Sequence, residues 1–391
     1  MPTKQFKQFF QANAAHTYLL LVAASLGMIF ANVVSKESYD SFFGAQTAGI
    51  SLHFVINEIL MTAFFLLVGL EIKRELFGGE LSTIRKAALP LLSAAGGMLA
   101  PAAIYWFFSK QDPVASRGWA IPCATDIVFS LAALRLASPV SKRALRIYLS
   151  ALAVFDDLGG ILIIAFFYDT SVTPKYLLLS ALLVVVIYGL AKKGLTSPMV
   201  YFLLACLLWL SFFWAGIHPT ISGAVFAFAL PITVSSIPNY ASMLAEVEKK
   251  LLSFSNFMVL PMFAFANLGL YLADFSMDIA LSPPALGTMA GLALGKPLGI
   301  CVVAFLAVRL GIAALPSRCS WADILGVSCL AGIGFTVSLF VAYLAFDEPN
   351  SRNLIGAKIG ILAGSMASAL LGVAVFRLFG AAKEISRHKT H

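Results

Sequence analysis

The chain has 391 residues, of which 60% are hydrophobic and only 12% are Asp, Glu, Lys or Arg. A soluble globular domain carries about 25% charged residues, and the mean hydropathy of +0.90 excludes soluble, disordered and disulfide-rich secreted proteins. An all-α membrane protein is therefore predicted, because a spanning helix needs about 20 mostly apolar residues. The net charge of +8 is assigned to basic cytoplasmic loops rather than to nucleic-acid binding.

Apolar runs between charged or turn-rich breaks predict twelve spans in a single membrane-embedded domain, 1–391. They cover residues 15–34, 55–76, 87–108, 119–136, 145–167, 176–191, 199–216, 218–234, 250–272, 284–308, 322–345 and 355–378. An even number of spans places both termini on one side. We assign that side to the cytoplasm, because the Lys and Arg residues that then lie outside are only Lys36, Lys110, Arg117, Lys175, Arg352 and Lys358.

The segment between the first two spans predicts a short external β-hairpin at 43–54. Its residues 44–49 are rich in turn-forming types, and Ile50, Leu52 and Phe54 follow in alternation. No linker in the chain marks a second domain.

Spans 4 and 11 each contain a helix-breaking sequence near the middle. Pro122 removes a backbone donor in span 4, and Gly332 and Gly334 weaken the helix in span 11. Each break lies in the middle helix of a three-helix group, spans 3–5 and spans 10–12, and the loop charges give the two groups opposite orientations. This pattern predicts an inverted repeat with crossed discontinuous helices, as in secondary transporters. Kinks alone are the simpler alternative.

Four ionisable residues lie deep in predicted spans: Asp126, Asp156, Asp157 and Lys296. An ionised side chain at the bilayer centre costs at least about 2.5 to 3.5 kcal/mol, so each needs a partner, a cavity or a function. Neighbouring helical residues point about 100° apart. One of the adjacent aspartates can thus face a cavity while the other faces Lys296.

These carboxylates predict a site that exchanges protons for a cation, because a proton or a cation equally relieves the repulsion between them. The Thr125 hydroxyl and carbonyls freed at the breaks add the oxygen ligands that Na⁺ or Li⁺ accepts. Buried ion pairs with only a structural role are the alternative. The five histidines are scattered, so neither a transition-metal site nor a cofactor is expected.

A second charged group is predicted at the cytoplasmic surface. Glu71 and Glu75 share one helix face at the inner end of span 2, and Glu248 precedes span 9. This group is either a solvated charge cluster or a set of titratable residues at the mouth of the ion pathway, where their protonation regulates access of ions with pH. His218, near the outer end of span 8, titrates in a suitable range.

Six motifs resemble those of the NhaA-type Na⁺/H⁺ antiporters of bacterial inner membranes, and the similarity extends from the first span to the last. They are Ala124-Thr125-Asp126, Phe155-Asp156-Asp157-Leu158-Gly159, Val68-Gly69-Leu70-Glu71-Ile72-Lys73-Arg74-Glu75-Leu76, Leu260-Pro261-Met262-Phe263-Ala264-Phe265-Ala266-Asn267, Gly295-Lys296-Pro297-Leu298-Gly299 and Gly332-Ile333-Gly334-Phe335-Thr336.

The resemblance implies a pH-regulated electrogenic antiporter that exports Na⁺ or Li⁺ in exchange for a larger number of protons. Asp157 would be the central ion-binding carboxylate, with Asp156 beside it and Asp126 and Thr125 on the broken helix. Lys296 would pair with an aspartate and carry a proton. The acidic residues linked to pH response would be Glu71, Glu75 and Glu248, with His218 linked more loosely.

The resemblance also implies a homodimer in the inner membrane, formed through an external hairpin such as 43–54 and surrounded by lipids. One departure from the family is the segment 235–243, which has no Lys, Arg or His, whereas family members often have basic residues there. This departure concerns the pH response and not the ion-binding residues.

Other functions remain open from the residues alone. An intramembrane aspartyl protease would use two aspartates as acid and base, but its Gly-x-Gly-Asp motif does not occur, and Tyr39-Asp40 and Tyr168-Asp169 lie at helix ends. A sodium-coupled symporter of organic anions would need anion-binding groups, whereas the only deep cation is Lys296. A passive channel agrees less well with broken helices and buried charge than alternating access does.

Overall fold

The computed structural model describes residues 3–34, 36–47, 50–79, 83–137, 143–168, 172–231, 240–346 and 351–388. Within these ranges, eight helices are long and apolar enough to cross a membrane, and two bent helix pairs raise the number to ten if each pair is one span. The prediction of a helical membrane protein is confirmed.

The α-helices, in chain order, are Thr3–Val33, Lys36–Gly44, Leu52–Phe54, Met61–Gly78, Ile84–Ser109, Pro113–Ser116, Ile127–Ala137, Arg143–Phe167, Pro174–Lys192, Pro198–Ala215, Ile221–Ala229, Tyr240–Phe254, Leu260–Asn267, Met277–Ala280, Pro283–Ala290, Lys296–Arg309, Trp321–Ala331, Phe335–Ala345 and Arg352–His388. Short 3₁₀ helices cover Arg117–Cys123 and Leu272–Asp274.

Three π-helical segments join α-helices end to end: Val55–Leu60, Ser255–Val259 and Gly291–Gly295. The second and third each end two residues before a proline, Pro261 and Pro297 respectively. A proline inside a helix lacks the backbone donor and crowds the preceding turn, so the wider π spacing accommodates it there.

Ten of the twelve predicted spans coincide with the candidate spans. The span predicted at 218–234 contains a helix of only nine residues, Ile221–Ala229, which is too short to cross a bilayer alone. The span predicted at 250–272 belongs to a longer helical run that begins at Tyr240 and whose first half is charged. The number twelve therefore remains a prediction.

The predicted hairpin at 43–54 is much shorter in the structure. Gln46–Thr47 pairs antiparallel with Ile50–Ser51, and residues 48–49 lie outside the described residues. The apolar alternation beyond Ile50 is not a strand, because the Ser51 hydroxyl accepts a hydrogen bond from Phe54 N at 3.1 Å and starts a helix.

The chain forms two compact units. The first consists of residues 1–18, 83–160 and 270–391, and it contains most of both three-helix groups. The second consists of residues 19–82 and 161–269. In the second unit, the short helix Ile221–Ala229 packs closely on Met61–Gly78, since a Cβ at Gly69 would lie 2.7 Å from the Ala227 Cβ.

Close glycine contacts join two long helices of the first unit, Ile84–Ser109 and the continuous run Pro283–Arg309. A Cβ at Gly299 would overlap with the Gly96 carbonyl and lie 2.7 Å from the Ala100 Cβ, and one at Gly295 would lie 2.7 Å from the Pro101 Cα. Small residues allow the backbones to approach, as is typical of membrane helices. This contact places the helix segment that carries Lys296, which lies between the two glycines.

Replacing Gly299 by Ala should therefore destabilise the first unit. We expect the free energy of unfolding to fall by about 1 to 3 kcal/mol, the usual cost of an extra methyl group in a packed interior, measured as a lower melting temperature of the purified protein. Gly189→Ala is the control, because a Cβ there meets no atom within 4 Å. Equal melting temperatures for the two variants would contradict this view of the packing.

Candidate functional site

Two interrupted helices form the frame of the candidate site. The first broken helix consists of Pro113–Cys123 and Ile127–Ala137, bent by 52°, and the second consists of Trp321–Ala331 and Phe335–Ala345, bent by 46°. The first break begins at Ala124, whose backbone is extended. Gly334 lies so close to Ala124 that a Cβ would be 3.2 Å from the Ala124 carbonyl oxygen. The predicted breaks at Pro122, Gly332 and Gly334 thus coincide with real interruptions that touch one another.

Each broken helix satisfies backbone groups that the other exposes. Ser130 Oγ donates to Leu330 O at 2.8 Å, and Ser338 Oγ donates to Ile121 O at 2.8 Å. Each of these serines is the fourth residue of the second half of its broken helix. The Asp126 N–H completes the exchange by donating to Ile333 O at 2.6 Å.

Asp126 caps both second halves at once. Its Oδ1 accepts from Val128 N at 3.1 Å and Phe129 N at 3.2 Å, and its Oδ2 accepts from Thr336 N at 3.2 Å and Thr336 Oγ1 at 2.5 Å. A negative charge beside two helix N-termini is favourable, because both expose unpaired N–H groups. Asp126, predicted as an ion ligand, has both oxygens engaged by protein donors.

Asp156 and Lys296 form a fully buried ion pair. Lys296 Nζ donates to Asp156 Oδ2 at 2.6 Å, and both side chains have 0% exposure. Lys296 also donates to Thr125 Oγ1. Removing one partner of such a pair is expensive, because it leaves an uncompensated charge in an apolar interior. The residues alone left the lysine's partner open, and in this structure it is Asp156.

Thr125 connects this ion pair to the second broken helix. Its hydroxyl lies 2.6 Å from Asp156 Oδ2 and 2.8 Å from Ala331 O. A hydroxyl has one proton, so it donates to only one of these acceptors at a time. Thr125 can therefore change partners without moving its backbone.

Asp156 Oδ1 is the feature of this site that points to a ligand. It is buried and has no hydrogen-bond partner in the described part of the chain. An ionised carboxylate prefers several donors or a cation. Asp157, the next residue, is half-buried. A small cation could therefore be held by Asp156 Oδ1 with further oxygens from Asp157 and Thr125.

Three residues predicted to respond to pH lie together in the second unit. Arg74 forms ion pairs with Glu248 and, at 3.3 Å, with Glu75. Glu71 is within electrostatic reach of the same three charges. This cluster joins helix Met61–Gly78 to helix Tyr240–Phe254.

Lys73 belongs to the same charged group at the inner end of span 2, and its side chain is buried. Its Nζ donates to the carbonyls of Ala227 and Phe228, at 3.0 Å each. These carbonyls belong to the last turn of the short helix Ile221–Ala229, so the ammonium group caps that helix. The sequence offered no signal for this cap, because the apolar run 218–234 does not show where its helix ends.

His218 belongs to a separate polar contact of the second unit. Its Nε2 lies 3.3 Å from Glu58 Oε1, and its Nδ1 lies 2.8 Å from Thr220 Oγ1. Glu58 was overlooked in the sequence, although an acidic residue inside span 2 was a visible signal. His218 therefore has an acidic partner that is not part of the Arg74 cluster.

A family model described as Na⁺/H⁺ antiporter 1 matches residues 7–376. The chain belongs to this family. It is 42% identical over 377 residues to the Na⁺/H⁺ antiporter NhaA of Shewanella amazonensis, an alignment that covers 94% of this chain and 96% of that protein. It is 41% identical over 378 residues to the protein of the same name from Pelagibacter ubique, with coverages of 95% and 96%.

Family membership confirms the resemblance that the six motifs indicated. The chain is a multi-pass membrane transporter and not an enzyme. The alternative of an intramembrane protease is thereby excluded.

Because Asp126 caps two helices, its replacement should strongly reduce the stability of the protein. Asp126→Ala should lower the free energy of unfolding by about 2 to 4 kcal/mol, because each lost N-cap costs about 1 to 2 kcal/mol. The measurement is the melting temperature of the purified protein. Asp112→Ala is the matched control, since Asp112 caps a single short helix through Val114 N and Ala115 N. Similar losses in both variants would show that Asp126 does not cap two helices.

Proposed function

We propose that this protein exchanges Na⁺ or Li⁺ for H⁺ by alternating access, exporting the cation as protons enter. The observation that carries the proposal is the Asp156 carboxylate, whose Oδ2 is held by Lys296 and Thr125 while its Oδ1 is buried without a protein partner. Family membership and the names of the relatives agree with this assignment.

Competition for Asp156 is the proposed basis of the exchange. In this structure, Lys296 forms an ion pair with the carboxylate, with its Nζ 2.6 Å from Asp156 Oδ2. A Na⁺ ion bound to Asp156 and Asp157 would supply the same charge, and one positive charge at a buried carboxylate is more favourable than two or none. Entry of the cation therefore expels the proton of Lys296 together with a proton held by Asp157, and return of these protons expels the cation. More than one proton then moves for each cation, so the exchange is electrogenic.

The broken helices supply the proposed movement between inward-open and outward-open states. They are joined by side-chain bonds from Ser130 and Ser338 and by the Asp126 cap. Such bonds can re-form after a small shift, whereas a continuous helix would have to lose its own backbone bonds. Thr125 couples the shift to the ion, because its hydroxyl donates either to Asp156 or to Ala331 O.

The finer architecture and setting belong to the same proposal. We place twelve spans in the bacterial inner membrane, with both termini in the cytoplasm and with spans 3–5 and 10–12 inverted relative to each other. The reciprocal bonds of Ser130 and Ser338 support a two-fold relation between the broken helices. We further propose an electrogenic stoichiometry and a homodimer formed around residues 43–54.

Replacing Asp157 by Asn should abolish exchange, because a cation that leaves its hydration shell needs the second carboxylate as a ligand. The test is dequenching of a ΔpH-sensitive dye in reconstituted vesicles after addition of Na⁺, Li⁺ or K⁺. The unmodified chain should respond to Na⁺ and Li⁺ but not to K⁺. Asp278→Asn, which changes an exposed aspartate, should behave like the unmodified chain. Exchange by Asp157→Asn would refute the role of Asp157, and silence of the unmodified chain would refute the proposed function.

We also propose that the Arg74 cluster regulates exchange with pH. Glu248 is largely buried, with 12% side-chain exposure, and shares Arg74 with Glu75. A negative charge opposes ionisation of nearby carboxylates. Without Glu248, the remaining carboxylates should release their protons at lower pH.

Glu248→Gln should therefore shift the pH of half-maximal exchange toward acid. The control is Glu246→Gln, two residues earlier on the same helix. Glu246 is 67% exposed, and a hydrogen bond from Lys250 holds the pKa of its carboxyl below the ordinary value. An exposed pair of this kind contributes little, so the control should keep the original pH profile. Identical profiles in both variants would eliminate Glu248 from the pH response.

A further inference from the structure

The last helix, Arg352–His388, carries two buried serines that face the candidate site. Ser365 and Ser368 are three residues apart and so lie on one helix face. Ser365 Oγ accepts from Gly334 N at 3.2 Å and Phe335 N at 3.4 Å. It thereby caps the second half of the second broken helix. Ser368 makes a different contact, with the helix that carries Lys296.

Ser368 donates a hydrogen bond to a backbone carbonyl of another helix, where that carbonyl has no donor within its own helix. In the π-helical segment Gly291–Gly295, the Lys296 N–H bonds to Gly291 O. The Leu292 carbonyl therefore loses its α-helical donor, and its π-helical donor would be residue 297, a proline without an N–H. Ser368 Oγ donates to Leu292 O at 3.0 Å.

The same hydrogen bond lies against the second helix break. A Cβ at Gly332 would overlap with both Leu292 O and Ser368 Oγ. The π segment, the break and the last helix thus meet at one point. Lys296, which forms the ion pair with Asp156, is the first residue of the α-helix that follows the π segment.

We propose that Ser368 is a positioning residue for Lys296. Its hydrogen bond to Leu292 O stabilises the wider π-helical turn at Gly291–Gly295. This turn directs the Lys296 ammonium group at Asp156. Without this bond, the Lys296 N–H can pair with Leu292 O as in an α-helix, and a shift of one residue in register turns a side chain by about 100° around the helix axis. The consequence for transport rests on the proposed function, whereas the consequence for the lysine does not.

The first test measures the exposure of Lys296 directly. The full chain in detergent is treated briefly with acetic anhydride, and acetylation of Lys296 is quantified by mass spectrometry. Ser368→Ala should raise the acetylation rate about fivefold, the factor expected for the loss of one ordinary hydrogen bond. Ser368→Thr, which keeps the hydroxyl, should retain the slow rate.

The control is Ser180→Ala, which removes another buried serine hydroxyl, bonded to Ser211 in the second unit. It should leave Lys296 slow to react. An unchanged rate in Ser368→Ala, or an equal increase in the alanine and threonine variants, would overturn the proposal.

The second test separates positioning from general destabilisation. In vesicles, Ser368→Ala should lower the apparent KM for Na⁺, because a misdirected lysine competes less for Asp156, whereas loss of folded protein lowers only the maximal rate. An unchanged KM would overturn the positioning role. If the unmodified chain shows no cation-driven exchange, the proposed function fails, and the acetylation rates still decide the position of Lys296.

Discussion

The first unit depends on satisfying backbone groups where two helices are interrupted inside the membrane. In lipid, each unpaired N–H or C=O costs several kcal/mol, because no water is present to bond it. The two breaks lie together, so each helix supplies donors and acceptors to the other, through Ser130, Ser338 and Asp126. The position of the ion pair follows from this arrangement, because Thr125, which reaches Ala331 O at the second break, also contacts Asp156 and Lys296.

Charged side chains serve helix ends in both units, with the sign that the helix dipole favours. Asp126 accepts from the N–H groups of two helices that begin inside the first unit. Lys73 donates to the last carbonyls of the short helix Ile221–Ala229 in the second unit. An ionisable residue within an apolar segment is therefore not by itself an ion ligand. The distinction depends on whether its polar atoms are already occupied by the backbone.

Local signals in the sequence were sufficient for most of this architecture. Proline and glycine marked both breaks, and the rarity of charge in apolar runs marked Asp126, Asp156 and Lys296. Most of the failures concern contacts between residues distant in sequence. A serine such as Ser368 looks the same whether it bonds to its own helix or to a carbonyl of another, and the spacing of Asp156 and Asp157 shows only that they face different directions. The length of the helix at 221–229 was missed because an apolar run does not reveal where its helix ends.

Within the proposed function, the contacts of Asp126 and Asp156 suggest different parts in reversible exchange. Binding a cation at Asp126 would compete with four hydrogen bonds that cap two helix ends. At Asp156 one oxygen has no protein partner, and the other is held by a cation that another cation can replace. In the proposed mechanism, a cation replaces the lysine at Asp156, so this carboxylate keeps a positive partner, and Asp157 takes up the additional proton that an electrogenic exchange requires. Reversible transport also requires similar affinities for the proton and the cation, because a site that binds either ion much more strongly would not release it.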